Sequence, residues 1–144
     1  MTGLPLTVTA LNDSTTSADD QTTATEYNDA LLRPTRTFAV NFSAPEAQTI
    51  YDDTALTVKV RKQIDATNWD EATTFMDSLG RTIKTQAKDS QGDVFVETEY
   101  DLLGRVKRTS NPYRAGDAKI WTQPRYDALG RVFETCTALT GAAL

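Results

Sequence analysis

Residues 100–105 read Tyr-Asp-Leu-Leu-Gly-Arg (YDLLGR), and two close copies of this hexapeptide occur elsewhere in the chain. The copies are MDSLGR at residues 76–81 and YDALGR at residues 126–131. Each hexapeptide lies between stretches rich in β-branched and aromatic residues, which favour strands. Self-similarity at a regular spacing predicts a repeated supersecondary unit rather than a single active site.

An aspartate marks each copy, and two weaker copies precede the three clear ones. The weaker copies are NDALLR at residues 28–33 and YDDTA at residues 51–55. With Asp52 taken as the second mark, positions 29, 52, 77, 101 and 127 are separated by 23, 25, 24 and 26 residues. We therefore predict an all-β fold of about five tandem antiparallel β-hairpins, 24–26 residues each, that form a continuous curved sheet.

The composition along the chain divides it into three expected segments. Residues 1–23 hold a short strand within residues 4–9, followed by an exposed polar loop over residues 12–23 that is rich in Ser, Thr and Asp. Residues 24–136 hold the hairpin array, with the first two repeats degenerate. Residues 137–144 form a C-terminal tail.

The hexapeptide has the residues that a turn between two antiparallel strands requires. Asp101 can accept a backbone N–H two residues on, and Gly104 can adopt a positive φ and form a bulge before Arg105 opens the return strand. Tyr100 ends the incoming strand, and Leu103 is predicted to be buried against the neighbouring turn. The same structural roles are expected for Asp77, Leu79, Gly80, Arg81, Tyr126, Asp127, Leu129, Gly130 and Arg131.

The two degenerate copies lack the turn glycine. Leu32 replaces it in the first copy, where a left-handed backbone would cost leucine about 1–2 kcal/mol, so we predict a differently shaped turn. Ala55 replaces it in the second copy. The strand expected after that turn alternates well, with Leu56, Val58 and Val60 on one face.

Composition excludes several classes of function. A net charge of −5 argues against a nucleic-acid partner, and no apolar run is long enough for a membrane span. The chain has no His, and its one cysteine, Cys136, has no histidine partner for nucleophilic catalysis. We expect no enzyme activity, no metal and no cofactor, and the N-terminus lacks the features of a signal peptide.

Large aromatic side chains indicate a second possible class of function, that of a binding module. Trp69, Tyr113 and Trp121 are candidates for rings that face a ligand, with a carbohydrate or a protein as the partner. Rings in sheets also pack in cores and across strands.

The three clear hexapeptides resemble the YD repeats of Rhs proteins, which also occur in the shell subunits of insecticidal toxin complexes and in teneurins. The segment SNPYR at residues 110–114 resembles the linking segment of bacterial Rhs-type proteins. The resemblance covers roughly residues 24–136. It implies hairpins stacked side by side into a long sheet, which in full-length members closes into a hollow shell around a C-terminal toxin or similar cargo.

The resemblance also implies a context for this chain. It would be a non-catalytic fragment of a larger bacterial protein that is secreted or displayed at the cell surface, and its first partners would be the neighbouring repeats of the parent chain. About five hairpins are too few to close a shell, so both edges of the sheet would be open. Because open edges pair with other strands, we predict a homodimer formed through the sheet edges.

Overall fold

The structure, a computed structural model, describes residues 7–10, 21–40 and 46–139. These residues form eleven β-strands and no helix, which confirms the all-β prediction. The strands are β1 (Thr7–Ala10), β2 (Gln21–Glu26), β3 (Arg36–Ala39), β4 (Ala47–Asp52), β5 (Thr57–Gln63), β6 (Trp69–Met76), β7 (Thr82–Asp89), β8 (Gly92–Tyr100), β9 (Val106–Ser110), β10 (Ile120–Tyr126) and β11 (Val132–Leu139).

The strands lie in one open antiparallel sheet in sequence order, from β1 to β11. The five aspartate-marked turns join β2 to β3, β4 to β5, β6 to β7, β8 to β9 and β10 to β11. This arrangement confirms the prediction of tandem antiparallel hairpins. Because each turn joins strands that are neighbours in sequence, every hairpin can form from local contacts.

A left-handed residue closes each of the five turns and fixes the true period of the repeat. These residues are Leu32, Leu56, Gly80, Gly104 and Gly130, with φ of 56°, 53°, 76°, 80° and 80°. They are separated by 24, 24, 24 and 26 residues. The second turn therefore starts at Asp53 rather than at Asp52, which was taken as the mark. Leu56 therefore belongs to the turn. The prediction that Leu56 lies in the following strand, on the same face as Val58, was wrong.

The first turn closes at residues 29–32 with the same hydrogen bond and a left-handed residue like the others, so the prediction of a different turn was wrong there. The strands beside it lie farther from the turn, since β2 ends at Glu26 and β3 begins at Arg36. The Leu32 N–H donates to the carbonyl of Asp29 at 2.9 Å, as the Gly104 N–H donates to that of Asp101 at 2.9 Å. The Asp29 carboxylate also accepts from the Leu31 N–H and from the Arg33 guanidinium, at 2.8 and 2.9 Å. These bonds offset the strain of a left-handed leucine.

Contacts divide the chain into two compact units, and the first consists of Met1–Asp52 and Val58–Glu71. Its N-terminal strand β1 pairs with β2 from Thr7 opposite Ala24 to Ala10 opposite Gln21. The strand predicted within residues 4–9 thus begins at Thr7 among the described residues. Residues 12–20 of the predicted polar loop lie outside the described residues, and residues 21–23 belong to β2.

The second unit consists of Asp53–Thr57 and Ala72–Leu144 and holds the most buried side chains. Among the described residues only Ser110, Tyr113 and Trp121 are buried, all three in this unit. Its last strand, β11, pairs with β10 as far as Leu139, three residues beyond the predicted end of the array. The rest of the predicted tail, residues 140–144, lies outside the described residues.

The three clear hairpins share two irregularities. At the turn, the Asp77 N–H donates to the Arg81 carbonyl and the Gly80 N–H to the Asp77 carbonyl, both at 2.9 Å, so that Gly80 is the extra residue of a bulge. Beyond the turn, Met76 pairs with Thr82 while Phe75 pairs with Lys84, so the register shifts by one residue. The same shift follows the turns at Gly104 and Gly130.

Candidate functional site

The turn aspartate holds its own hairpin together through three hydrogen bonds. One carboxylate oxygen of Asp101 accepts from the N–H groups of Leu103 and Arg105, both at 2.9 Å. The other oxygen accepts from Nε of Arg105 at 2.7 Å. Asp77 and Asp127 make the same three bonds, at 2.7–3.0 Å. The Leu103 N–H, two residues after Asp101, is the backbone donor that a turn aspartate is expected to bind.

These bonds favour the charged form of each turn carboxylate. The hydrogen bond from Arg33 is the main cause that lowers the pKa of Asp29 from 3.8 to about 2. The guanidinium of Arg81 likewise lowers the pKa of Asp77. Partial burial raises the pKa of Asp101, but the bonds from Arg105 outweigh it and leave that pKa below its ordinary value. The carboxylates of Asp29, Asp77 and Asp101 are therefore ionised across the neutral and mildly acidic range.

The turn arginine also reaches forward to the next hairpin. The Arg81 guanidinium lies over the Tyr100 ring at 4.4 Å from the ring centroid, and Arg105 lies over Tyr126 at 4.3 Å. In the first unit Arg33 lies over Tyr51 at 4.0 Å. Each contact is a cation–π pair between one hairpin and its successor.

The tyrosine in turn binds the backbone of the preceding hairpin. Its hydroxyl donates to the carbonyl of the residue that follows the arginine. The three bonds run from Tyr51 to Pro34 at 3.2 Å, from Tyr100 to Thr82 at 2.9 Å and from Tyr126 to Val106 at 2.8 Å. We call this unit of aspartate, arginine and following tyrosine the inter-hairpin link.

Between the second and third hairpins, both the arginine and the tyrosine of the link are replaced by other residues. In the turn that begins at Asp53, Thr57 occupies the position of the arginine. In the next hairpin Met76 occupies the position of the tyrosine. The end of β6 still contacts this turn, because the Met76 N–H donates to the Leu56 carbonyl at 2.9 Å. The arginine and the tyrosine are thus present together or absent together, as expected if each is useful only with the other.

The turn leucines are exposed, so the prediction that they are buried was wrong. Leu79, Leu103 and Leu129 are 75%, 77% and 77% exposed. Each leucine follows the turn aspartate by two residues, and its backbone N–H is turned inward to the aspartate carboxylate. The tip therefore holds its shape through hydrogen bonds, with the side chain left outside.

Two of the three candidate ligand-facing rings lie in the core of the second unit. Trp121 is 4% exposed and Tyr113 is 8% exposed. The guanidinium of Arg108 covers the Trp121 ring at 4.2 Å, and Phe95 packs on Tyr113 with ring centroids 5.6 Å apart. Trp69, in the first unit, is half-buried under Arg61 at 4.6 Å. The structure therefore does not place Tyr113 or Trp121 where a ligand could stack on the ring.

Around Tyr113 is a cluster that the sequence did not suggest. Glu97 accepts from the Tyr113 hydroxyl at 2.5 Å and from Nζ of Lys119 at 2.7 Å. Burial and the bond to Glu97 raise the pKa of Tyr113, and the same carboxylate raises that of Lys119. The Ser110 hydroxyl accepts from the Glu97 N–H at 2.9 Å. The polar groups satisfy one another and fix the segment after β9.

Shallow grooves of about 400–450 Å³ lie beside the three links. Their linings share one pattern, which is the turn aspartate of one hairpin and the tyrosine of the next. The groove beside Tyr100 is also lined by Lys84, Thr98 and Glu99. Each groove is thus lined by residues of both charge signs and by at least one aromatic residue, which suits a polar ligand.

Other chemistry has little support in the part of the chain that the structure describes. No three His, Cys, Asp or Glu residues there lie close enough to hold a metal ion. Cys136 is half-buried and is not in a disulfide. Nor do residues 7–10, 21–40 and 46–139 include a helix long and apolar enough to cross a membrane.

The partner of the tyrosine is the main feature that sequence reasoning missed. The signal was nevertheless present, because each linked arginine is followed by a tyrosine 18, 19 or 21 residues later, from Arg33, Arg81 and Arg105. That distance corresponds to a return strand, a connection and the next incoming strand. A search for pairs at the repeat distance would have found it.

Part of the chain matches a known protein family. No curated protein matches the chain. Residues 48–134, more than half of the chain, match the family described as Domain of unknown function (DUF6443). The matched residues begin in β4 and end in β11, so they include four of the five turns and the two links of the second unit. On this match the chain belongs to the DUF6443 family, a family of domains without an assigned function.

Proposed function

We propose that the chain is a non-catalytic structural repeat segment, of the kind that forms the cargo-enclosing shell of Rhs-type proteins. The observation that carries this proposal is the inter-hairpin link. The Tyr-Asp and Gly-Arg residues of the repeated hexapeptide are used to form turns and to join successive hairpins. A motif whose polar groups are engaged in this way supports a role in assembly rather than in chemistry.

The context proposed for this segment is a secreted or cell-surface bacterial protein. Its first partners would be neighbouring repeats of that protein, and pairing of two copies through sheet edges stays a prediction. Neither a net charge of −5 nor the polar grooves favour a nucleic-acid partner.

Limited proteolysis of the natural gene product tests the shell proposal. If the segment helps to enclose cargo, the enclosed polypeptide resists protease in the unaltered protein and is cut when Arg105→Gln and Tyr126→Phe weaken one link. Arg125→Gln, which removes a half-exposed ion pair with Glu134, is the matched control and should leave the protection intact. Cargo that is cut equally fast in all three proteins would contradict the proposal.

The second candidate function is the binding of a carbohydrate or a protein. It is supported by the three grooves beside the links rather than by the aromatic rings in the core. A glycan array probed with the purified chain tests it. Binding that is lost with Glu99→Gln, in the lining of one groove, and kept with Glu71→Gln, whose ion pair with Lys59 lies outside the three grooves, would favour this function over a purely structural one.

A further inference from the structure

The last hairpin presents an arginine that differs sharply from its equivalents. The side chains of Arg33, Arg81 and Arg105 are 27%, 31% and 35% exposed. Arg131 makes the same bonds to its turn aspartate, yet its side chain is 74% exposed. Within residues 46–139 no tyrosine ring lies on it. The aspartate and the arginine of a link are therefore in place in the last hairpin, and the arginine is accessible.

The residue that follows this arginine is exposed in the same way. Val106, whose carbonyl accepts from the Tyr126 hydroxyl, is half-buried. Val132 occupies the equivalent position after Arg131 and is 55% exposed. Val132 is the first residue of β11, which is the last strand in the order and has β10 as its neighbour among the described strands.

We propose that Arg131 and Val132, together with the outer side of β11, form a docking surface for an antiparallel β-strand that ends in tyrosine. The tyrosine ring would lie on the Arg131 guanidinium, and its hydroxyl would donate to the Val132 carbonyl. The backbone of the incoming strand would pair with β11. We call this surface the tyrosine acceptor.

The form of the occupant follows from the contacts within the chain. The same arrangement is filled three times, by Tyr51, Tyr100 and Tyr126, each at or next to the end of an incoming strand. Where the arginine is replaced by Thr57, the tyrosine is replaced by Met76, so the presence of Arg131 calls for a tyrosine. A flat aromatic ring without a hydroxyl would satisfy only half of the site.

A second copy of the chain does not meet this requirement. Tyr51, Tyr100 and Tyr126 are each engaged within their own chain. Tyr113 is buried, and Tyr27 follows β2, which already pairs with β1 on one side and β3 on the other. The occupant is therefore a tyrosine-ended strand from another polypeptide segment, with a turn aspartate after the tyrosine as in the internal links.

This inference rests on the proposed structural role and deepens it by naming the partner. The first test is hydrogen exchange of the full chain with a synthetic peptide of residues 90–110, which contains β8, its turn and Tyr100. We expect slower exchange in β11 and an apparent affinity about tenfold weaker for the Tyr100→Leu peptide. Arg131→Gln should weaken binding similarly, whereas Arg125→Gln on the same hairpin should change it less than about twofold.

A covalent version keeps the test decisive if the free peptide does not form a strand. Residues 90–110 are copied directly after Leu139, since β11 has the same length as β7, which precedes them naturally. The copied tyrosine then follows Arg131 by 19 residues, as Tyr100 follows Arg81. Protection of β11 that appears with tyrosine and is lost with leucine, or with Arg131→Gln, supports the acceptor.

Three outcomes would overturn the proposal. The extended chain could leave β11 unprotected, or could protect it equally with leucine at the copied position. Protection of β11 in the unaltered chain that rises with protein concentration would show that a second copy covers the surface instead. In the first two outcomes, unchanged denaturation of the chain would show that the internal links are intact, so the acceptor would be refuted and the structural role would stand.

Discussion

Each polar residue of the repeated hexapeptide has a distinct partner. Asp101 binds backbone N–H groups of its own turn, Arg105 binds that aspartate and the next tyrosine, and Tyr100 binds the hairpin before it. Leu103 makes no comparable contribution, since its side chain points outward. Similarity among the hexapeptides therefore does not mean that their residues contribute equally to stability.

The tyrosine hydroxyl is the first of these contributions that can be measured. Tyr100→Phe keeps the ring on Arg81 but removes the bond to the Thr82 carbonyl. We expect the free energy of unfolding to fall by about 0.5–1.5 kcal/mol, measured by urea denaturation. Tyr126→Phe should have a similar effect. A change below about 0.2 kcal/mol in both variants would show that water replaces the bond at no cost.

The contrast between the turn leucine and the turn aspartate gives a second prediction. Leu103→Asn should change the free energy of unfolding by less than about 0.5 kcal/mol, because the side chain is exposed. Asp101→Ala should lower the denaturation midpoint clearly, because it leaves two turn N–H groups and Arg105 without their acceptor. If the leucine variant proved the less stable of the two, the leucine would have an apolar contact that the structure does not show.

At the scale of the hairpin, the sequence predicted the turn well and its surroundings poorly. Asp and Gly at fixed positions specify the turn, because few other residues satisfy its N–H groups and its positive φ. The adjacent Asp52 and Asp53 made the register of the second turn ambiguous by one residue. The exposure of Leu103 and the contact partner of Tyr100 depend on which residues lie next to the turn in space. The sequence of the turn itself does not specify those neighbours.

The left-handed leucines of the first two turns provide an engineering test. Leu32 and Leu56 have φ of 56° and 53°. Replacing either by glycine relieves strain of about 1–2 kcal/mol in the folded chain. Glycine also increases the conformational entropy of the unfolded chain, which offsets part of this gain in stability. We expect Leu32→Gly to raise the free energy of unfolding by up to about 1 kcal/mol. Gly104→Leu, the reverse change at an equivalent position, should lower it, and an opposite result for either would contradict the shared turn shape.

The missing link can be rebuilt within the second unit. Thr57→Arg and Met76→Tyr together restore the pair that the other hairpins carry, whereas each change alone leaves its side chain without the intended partner. A double-mutant cycle measured by denaturation should give a favourable coupling of about 0.5–1 kcal/mol. Thr57→Arg with Met76→Leu is the matched control. Coupling indistinguishable from zero would mean that the arginine and the tyrosine do not depend on each other.

At the scale of the whole molecule, ionised turn carboxylates make stability depend on pH. The pKa of Asp29 is about 2 when folded against 3.8 for the free group, and the pKa values of Asp77, Asp101 and Asp127 are also lowered. A group whose pKa is lowered on folding stabilises the folded chain at pH values above its pKa in the unfolded chain. That stabilisation is lost as the pH falls through its pKa in the folded chain. We therefore expect a steady urea midpoint from pH 7 to about pH 5 and a steep fall between about pH 4 and pH 2.

A single variant isolates the part of this fall that belongs to one turn. Asp29→Asn should be less stable than the unaltered chain at pH 7, and the difference between the two should shrink as the pH approaches 2. A constant difference across that range would show that the stabilisation comes from turn geometry alone rather than from the charge.

The inter-hairpin link has a direction. Every tyrosine in it contacts the hairpin that was synthesised just before its own, at Pro34, Thr82 and Val106. A nascent chain leaving the ribosome can thus complete each link as soon as the tyrosine emerges, with nothing downstream required. Growth of the sheet can keep pace with translation, and no more than one strand edge need wait for its partner at any moment.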